Sequence, residues 1–377
     1  METRWFTRIA WLAVALALIV IVFGAFVRLS HAGLSCPDWP TCYGRATWPV
    51  QSHEIDRANQ AFPQRAVEVD KAWREQLHRH LAAGLGVLAL ALALLATRTR
   101  GFGWAVVLGA SAVVAVSIVL YMGRHYEISA ILAGAAEAAL MAAAWRWRGS
   151  GMAALATVTL AVVVFQAMLG MWTVTWLLKP IVVVGHLLGG MATFALLGWM
   201  AWRTTAGALW QRPQAMRLRP LLGAALALLS IQIALGGWTS ANYAALACGV
   251  DFPTCLGRWW PATDFGEAFV LWRGIGVDYE GGVLDLPSRT AIHLSHRLFA
   301  ILVLGHLLVV SLRLVHTPGL ARWGWALGLL VGAQVALGIG NVVYGLPLWM
   351  ATAHNAGAAL LVFVLVTLLA RLRTASL

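Results

Sequence analysis

The amino-acid sequence predicts an all-α polytopic membrane protein, built as two pseudo-symmetric four-helix bundles in the same orientation with a two-helix hairpin inserted in the first half. Three observations lead there. The chain is 60% hydrophobic and only 11% charged, whereas soluble domains carry roughly 25% charged residues. Its apolar runs are about as long as the ~20 residues that a bilayer-spanning helix needs. It is also written twice: Gly24 to Pro49 reads GAFVRLSHAGLSCPDWPTCYGRATWP, and Gly236 to Pro261 reads GGWTSANYAALACGVDFPTCLGRWWP. An internal repeat fixes architecture before any single motif is weighed.

About ten spans follow from hydropathy and period, near residues 9–28, 76–97, 103–121, 127–146, 153–174, 182–203, 219–239, 290–313, 323–343 and 348–370. The repeat assigns them to two halves, 1–205 and 206–377. His78-Arg79 recurs as His296-Arg297, Gln166-Ala-Met-Leu-Gly170 as Gln334-Val-Ala-Leu-Gly338, and His186 as His354. Residues 99–150 have no counterpart and form the inserted hairpin. The two added spans preserve the orientation of everything after them. The Arg-rich link from Arg203 to Arg219, with two prolines, is the domain boundary.

The formal charge of +12 has to be sorted by loop before it means anything. One side holds Arg4, Arg8, Arg98, Arg100, Arg146, Arg148, Arg203, Arg212, Arg217, Arg219, Arg313, Arg322, Arg371 and Arg373, opposed only by Glu2. Nearly all the other acidic residues lie on the opposite side. By the positive-inside tendency the Arg-only side and both termini are cytoplasmic. Topology thus accounts for the basic excess, and no nucleic-acid role is indicated. The apolar N-terminal run continues to Val27 with no small-residue cleavage site, so it reads as a retained first helix rather than a signal peptide. A bacterial plasma membrane fits best.

This orientation puts the long loops 29–75 and 240–289 outside, where disulfides persist. All four cysteines lie there. Cys36 and Cys42, and Cys248 and Cys255, flank short Pro-containing segments that keep the sulfurs near one another, as a structural staple or a redox-active pair. Glu75 and His78 share one helix face, while the position three before His296 is His293; only the first half owns this carboxylate. Glu137 falls in the middle of a hairpin helix, where a carboxylate is a functional candidate or a protonated acid tucked against a neighbour.

A single histidine on an apolar helix is commonly a packing residue. Four at repeat-equivalent positions, all within roughly 10 Å of one membrane face by helical rise, point to ligation. No intramembrane Cys or extra carboxylate completes a zinc site in each half. Two imidazoles facing each other across a four-helix bundle suit the axial positions of a haem. Arg79 and Arg297 then stand where haem propionates need cations, or snorkel to headgroups.

The Gly-Leu-Ser-Cys-Pro-Asp-Trp-Pro loop, the Glu75-x-x-His78-Arg79 helix start, the Gln-x-x-Leu-Gly hairpins and the four histidines together closely resemble the haem A synthase family. The resemblance spans both halves and leaves out 99–150. It implies oxidation of the C8 methyl of haem O to a formyl group by successive hydroxylations, for cytochrome oxidase assembly. The N-terminal half would be the substrate-haem bundle, with His78 and His186 toward haem O. The C-terminal half would hold haem b between His296 and His354, and Glu75 would be the essential carboxylate. The family pattern has eight spans, so the hairpin is an addition. A haem O synthase and cytochrome oxidase assembly factors are implied partners beside membrane lipid, and a homo-oligomer is allowed but not required.

Two other classes remain open at this level. A di-haem electron-transfer cytochrome, such as a quinol oxidoreductase, stacks its haems at opposite depths using histidines 13 to 14 residues apart; His293 and His306 have that spacing, but helix ten carries only His354. A haem carrier would share the duplicated bundle but have no need of Glu75.

Overall fold

The computed structural model describes residues 2–206, 210–211 and 213–373. Residues 207–209 and 212 of the inter-half link, Arg212 among them, and 374–377 lie outside the described residues. Among the described residues, ten helices are long and apolar enough to cross a membrane, and the chain is a multi-pass membrane protein. In order they are α1 (Glu2–Leu29), then the short loop helix α2 (Ser52–Ala61), α3 (Val69–Thr97), α4 (Gly103–Met122), α5 (Tyr126–Arg146), α6 (Met152–Thr175) and α7 (Pro180–Thr204). After the short α8 (Pro213–Met216) come α9 (Arg219–Ala241), the loop helix α10 (Phe265–Ala268), α11 (Leu286–Val315), α12 (Ala321–Val343) and α13 (Leu348–Arg371). A two-residue parallel pairing joins Trp210–Gln211 to Leu372–Arg373.

Several spans are longer than hydropathy alone predicts. α3 starts at Val69 rather than near 76, and α11 at Leu286 rather than near 290. Their first turns are polar and continue the helix into the Cys-bearing loops. At α11 the start is fixed by Asp285, whose carboxylate accepts from the Ser288 N–H at 3.0 Å, followed by Pro287 in the first turn.

The chain divides into two compact units, Met1–Thr175 with Ala192–Thr205, and Trp176–Met191 with Ala206–Leu377. The division falls within α7. In the first unit α3 is the central element, packed against α1, α4 and α6, while the hairpin α4–α5 lies along α3 and α6. Ser129 Oγ donates to the Ser117 carbonyl at 2.8 Å and pins α5 to α4. The beginning of α1 is tied to the end of α7 through Trp11, whose indole N–H donates to Thr205 Oγ1 at 3.0 Å and whose ring meets Trp202 edge-on.

In the second unit α9, α11, α12 and α13 pack in a ring, each against two neighbours, so that α11 and α13 face each other across it. Close approach of α11 and α12 depends on Gly324. Ser311 Oγ donates to its carbonyl at 2.8 Å, and a Cβ there would lie 2.6 Å from the Val315 main-chain nitrogen. Backbone cannot yield as a side-chain tip can, so Gly324→Ala should destabilise the second unit by about 1–3 kcal/mol, seen as a lower thermal midpoint in detergent. Gly332→Ala, where a Cβ meets nothing within 4 Å, serves as the neutral comparison.

Candidate functional site

The two Cys loops fold alike. Disulfides join Cys36 to Cys42 and Cys248 to Cys255. Each loop ends in an isolated antiparallel bridge, Cys42 with Arg45 and Cys255 with Arg258. Both carry a repeat-equivalent aspartate that accepts main-chain N–H groups: Asp38 from Tyr43 (2.6 Å) and Gly44 (2.8 Å), and Asp251 from Gly257 (2.8 Å). In the first loop the Thr41 hydroxyl adds a further bond to Asp38. Burial pushes the Tyr43 phenol up to about 12, and N–H bonds from Val50 and Gln51 hold the Glu54 carboxyl down at about 2.

The Arg of each His-Arg pair binds its own loop. Arg79 Nη1 donates to the carbonyls of Asp38 (2.8 Å) and Thr41 (2.6 Å), and Arg297 donates to Asp251 (3.0 Å) and Thr254 (3.0 Å). Both guanidinium groups hold the loops over their helices. Four residues earlier the halves diverge. Arg79 Nη2 pairs with Glu75 Oε1 at 2.6 Å, whereas Arg297 Nε donates to His293 Nε2 at 2.9 Å. Glu75 is buried, and its second oxygen accepts from the Cys36 N–H at 2.8 Å. Its neighbour Gln76 donates to the Ala46 carbonyl at 2.8 Å.

The four histidines are each partly accessible. Three rest against a glycine of a neighbouring helix. A Cβ on Gly24 would lie 2.7 Å from His78 Cε1, one on Gly236 3.0 Å from His296 Cε1, and one on Gly338 3.1 Å from His354 Cε1. Any side chain there would push the ring from its seat. In the second unit a glutamine one turn before the glycine completes the grip. Gln334 Nε2 donates to the His354 carbonyl at 2.9 Å, and Gln232 Nε2 to the His296 carbonyl at 3.1 Å, also lying 3.1 Å from His296 Nδ1. The Gln334 main-chain oxygen lies 3.2 Å from His354 Nδ1. A carbonyl only accepts, so Nδ1 carries the proton and Nε2 keeps its lone pair for a metal.

His296 and His354 stand on the facing helices α11 and α13, within electrostatic reach of each other. His186 lies in the part of α7 that belongs to the second unit, on a stretch whose Val184 and Leu188 pack with Trp238 and Ile292. His78 belongs to the first unit, with Glu75 one turn before it in α3 and Arg79 directly after it. His306 donates from Nε2 to the Leu221 carbonyl at 3.1 Å. With His293 Nε2 taken by Arg297, neither residue of the 13-spaced pair offers Nε2 to a second tier of haem. Glu137 is half-buried in α5 with Oε2 buried and unbonded. Among the described residues, no three His, Cys, Asp or Glu side chains converge on a metal position. His296 and His354 are two imidazoles on facing helices, a donor set that a haem fits.

Sequence reading missed Gln232. The signal was present, because Gln232-Ile-Ala-Leu-Gly236 has the same spacing as Gln334-Val-Ala-Leu-Gly338. In the first half the matching string begins with Val20, so His78 has the glycine seat without that glutamine.

The clamps make a quantitative comparison available. Arg79→Gln strands a buried carboxylate, while Arg297→Gln leaves a neutral imidazole. The first should cost about 3–5 kcal/mol and the second about 1–3 kcal/mol in thermal unfolding. Adding Glu75→Gln to Arg79→Gln should restore part of the loss, as a double-mutant cycle would register.

Comparison with known proteins gives a consistent picture. Residues 7–366 match the COX15-CtaA family model, described as a cytochrome oxidase assembly protein. The chain is 38% identical to the heme A synthase of Shewanella oneidensis, over 98% of this chain and 96% of that protein. It is 26% identical to the heme A synthase of Caulobacter vibrioides, over 94% and 92% respectively. Identity to the heme A synthase of Sphingopyxis alaskensis is 33% across half of each chain, 50% and 49%.

Proposed function

The chain belongs to the COX15-CtaA family of cytochrome oxidase assembly proteins, and from that membership we propose that it is a haem A synthase. In this reading it is a membrane oxidoreductase that oxidises the C8 methyl group of haem O to a formyl group by successive hydroxylations. The observation that carries the reading is His354, whose Nδ1 proton is held by a main-chain carbonyl so that Nε2 is left for iron.

His296 and His354 would hold a resident haem b in the C-terminal half, each ring beside a glycine and each main-chain carbonyl bonded by a glutamine. A bound haem b supplies redox chemistry at its iron. His78 and His186 are assigned to haem O: His78 for its seat on Gly24 and its place one turn below Glu75, His186 by its position in the repeat alone. Glu75 is the carboxylate assigned to catalysis. Its two oxygens accept from Arg79 and from the Cys36 N–H, which fixes the group at the start of the helix that carries His78. Proton handling beside a reacting centre needs such a fixed group, and the second half has His293 in its place.

Both termini are assigned to the cytoplasm of a bacterium, with the Cys loops and the histidines toward the outer face, because the Arg-only loops gather on the opposite side. Haem O delivery then calls for a haem O synthase, and haem A for acceptors in cytochrome oxidase assembly.

Separate roles for the halves give separate phenotypes. His296→Ala should strip haem b from the purified protein. His78→Ala and Glu75→Ala should retain haem b while lowering haem A formation in cells about 100-fold or more. Pyridine haemochrome spectra and chromatography of extracted haems read both quantities. Equal loss of haem b from His78→Ala and His296→Ala would contradict the division of roles, and full haem A production by Glu75→Ala would remove the catalytic carboxylate.

A further inference from the structure

Lys179 stands at the turn between α6 and α7, immediately before Pro180, the first residue of α7. It is 1% exposed, and its ammonium nitrogen is buried with no hydrogen-bond acceptor. The nitrogen lies 3.4 Å from the ring centroid of Trp272 and 5.5 Å from that of Trp176, and the two rings meet edge-on. Indole faces attract a cation but accept none of its N–H bonds in the way an oxygen does. Burial accordingly pushes the Lys179 ammonium below its usual range. The other polar groups around it are bonded elsewhere. Arg273 donates to Glu267, the Tyr279 hydroxyl to the Gly274 carbonyl, and Asn242 to the Trp238 carbonyl.

A buried cation with three unused donors is costly unless an anion arrives. Its place on α7 identifies the anion. Lys179 precedes His186 by seven residues, two helical turns, so both start from nearly the same side of α7 and differ in height by roughly 10 Å. That is about the reach from a haem iron to its propionate carboxylates. Arg79, the other cation considered for this end, is bonded to its own loop. In repeat register Lys179 corresponds to Pro347, the N-cap of α13 two turns before His354, so the second half has no such charge.

We propose that Lys179 is a binding residue for the substrate haem, receiving a propionate carboxylate of the porphyrin that His186 holds, with Trp272 as the movable wall that covers the ammonium until the carboxylate enters. Trp272 is 60% exposed and lies between the short helix α10 and α11, outside regular structure, so it can swing while the backbone of α7 stays fixed. The proposal rests on the haem A synthase reading and deepens it: the substrate site selects a porphyrin with at least one free carboxylate, and the two halves differ in charge both at Glu75 and at Lys179.

The test uses the full-length protein, purified with its resident haem b and titrated with haem O and with haem O dimethyl ester, binding being followed by difference absorbance. The wild type should bind the diacid about ten-fold or more tightly than the ester. Lys179→Met should bind both alike, Lys179→Arg should keep most of the preference, and all should retain haem b. Trp272→Leu, which opens the wall but leaves the cation, should also keep the preference. A Lys179→Met protein that discriminates as the wild type does would overturn the proposal. So would loss of haem b from Lys179→Met together with the same loss from Trp272→Leu, which would make the pair a structural pin of the loop. A wild type that binds no second haem would instead overturn the reading beneath it.

Discussion

A neutral imidazole can bind iron through Nε2 only while Nδ1 keeps its proton, and in the second unit a main-chain carbonyl enforces that condition at His354. Around it the unit positions both histidines. Facing helices bring His296 and His354 toward one another, glycines at positions 236 and 338 leave room for the Cε1 edge of each ring, and glutamines one turn away bond the carbonyls of the histidines themselves. A larger residue at either glycine would meet the ring near 3 Å, closer than ordinary contact. The same glycine seat recurs at His78.

What the copies kept and what they changed separate along physical lines. The disulfide loop, its aspartate knot and the Arg that clamps it are the same in both halves, because they carry architecture. The partner of that Arg differs. In one half a buried carboxylate forms an ion pair and also accepts from the loop backbone; in the other an imidazole accepts a single bond. A buried charge pair is a poor way to gain stability, so its retention beside one histidine alone points to chemistry there. Lys179 opposite Pro347 is a second asymmetry of the same kind.

Much of this was legible in the sequence because bilayer-length apolar runs and a duplicated motif are strong signals. The ten spans fall within a few residues of their expected places, apart from the starts of α1, α3 and α11, whose first turns carry polar and charged residues that hydropathy cannot distinguish from loop. The cysteine pairs and the four histidines were visible through the repeat. The role of Arg79 and Arg297 in clamping their loops was not, since a guanidinium bound to carbonyls far along the chain leaves no local pattern. Gln232 was legible only through its spacing to Gly236, since its repeat partner in the first half is Val20, and nothing local to Lys179 shows its burial against Trp272.

The central claim is that one chain holds two haem positions of different purpose, one resident and one reacting. Identification of the haems extracted from protein purified out of cells that also make haem O tests it most directly. The account predicts haem b together with haem O, haem A or a hydroxylated form between them. Haem b alone, near two per chain, would contradict it and indicate an electron-transfer cytochrome.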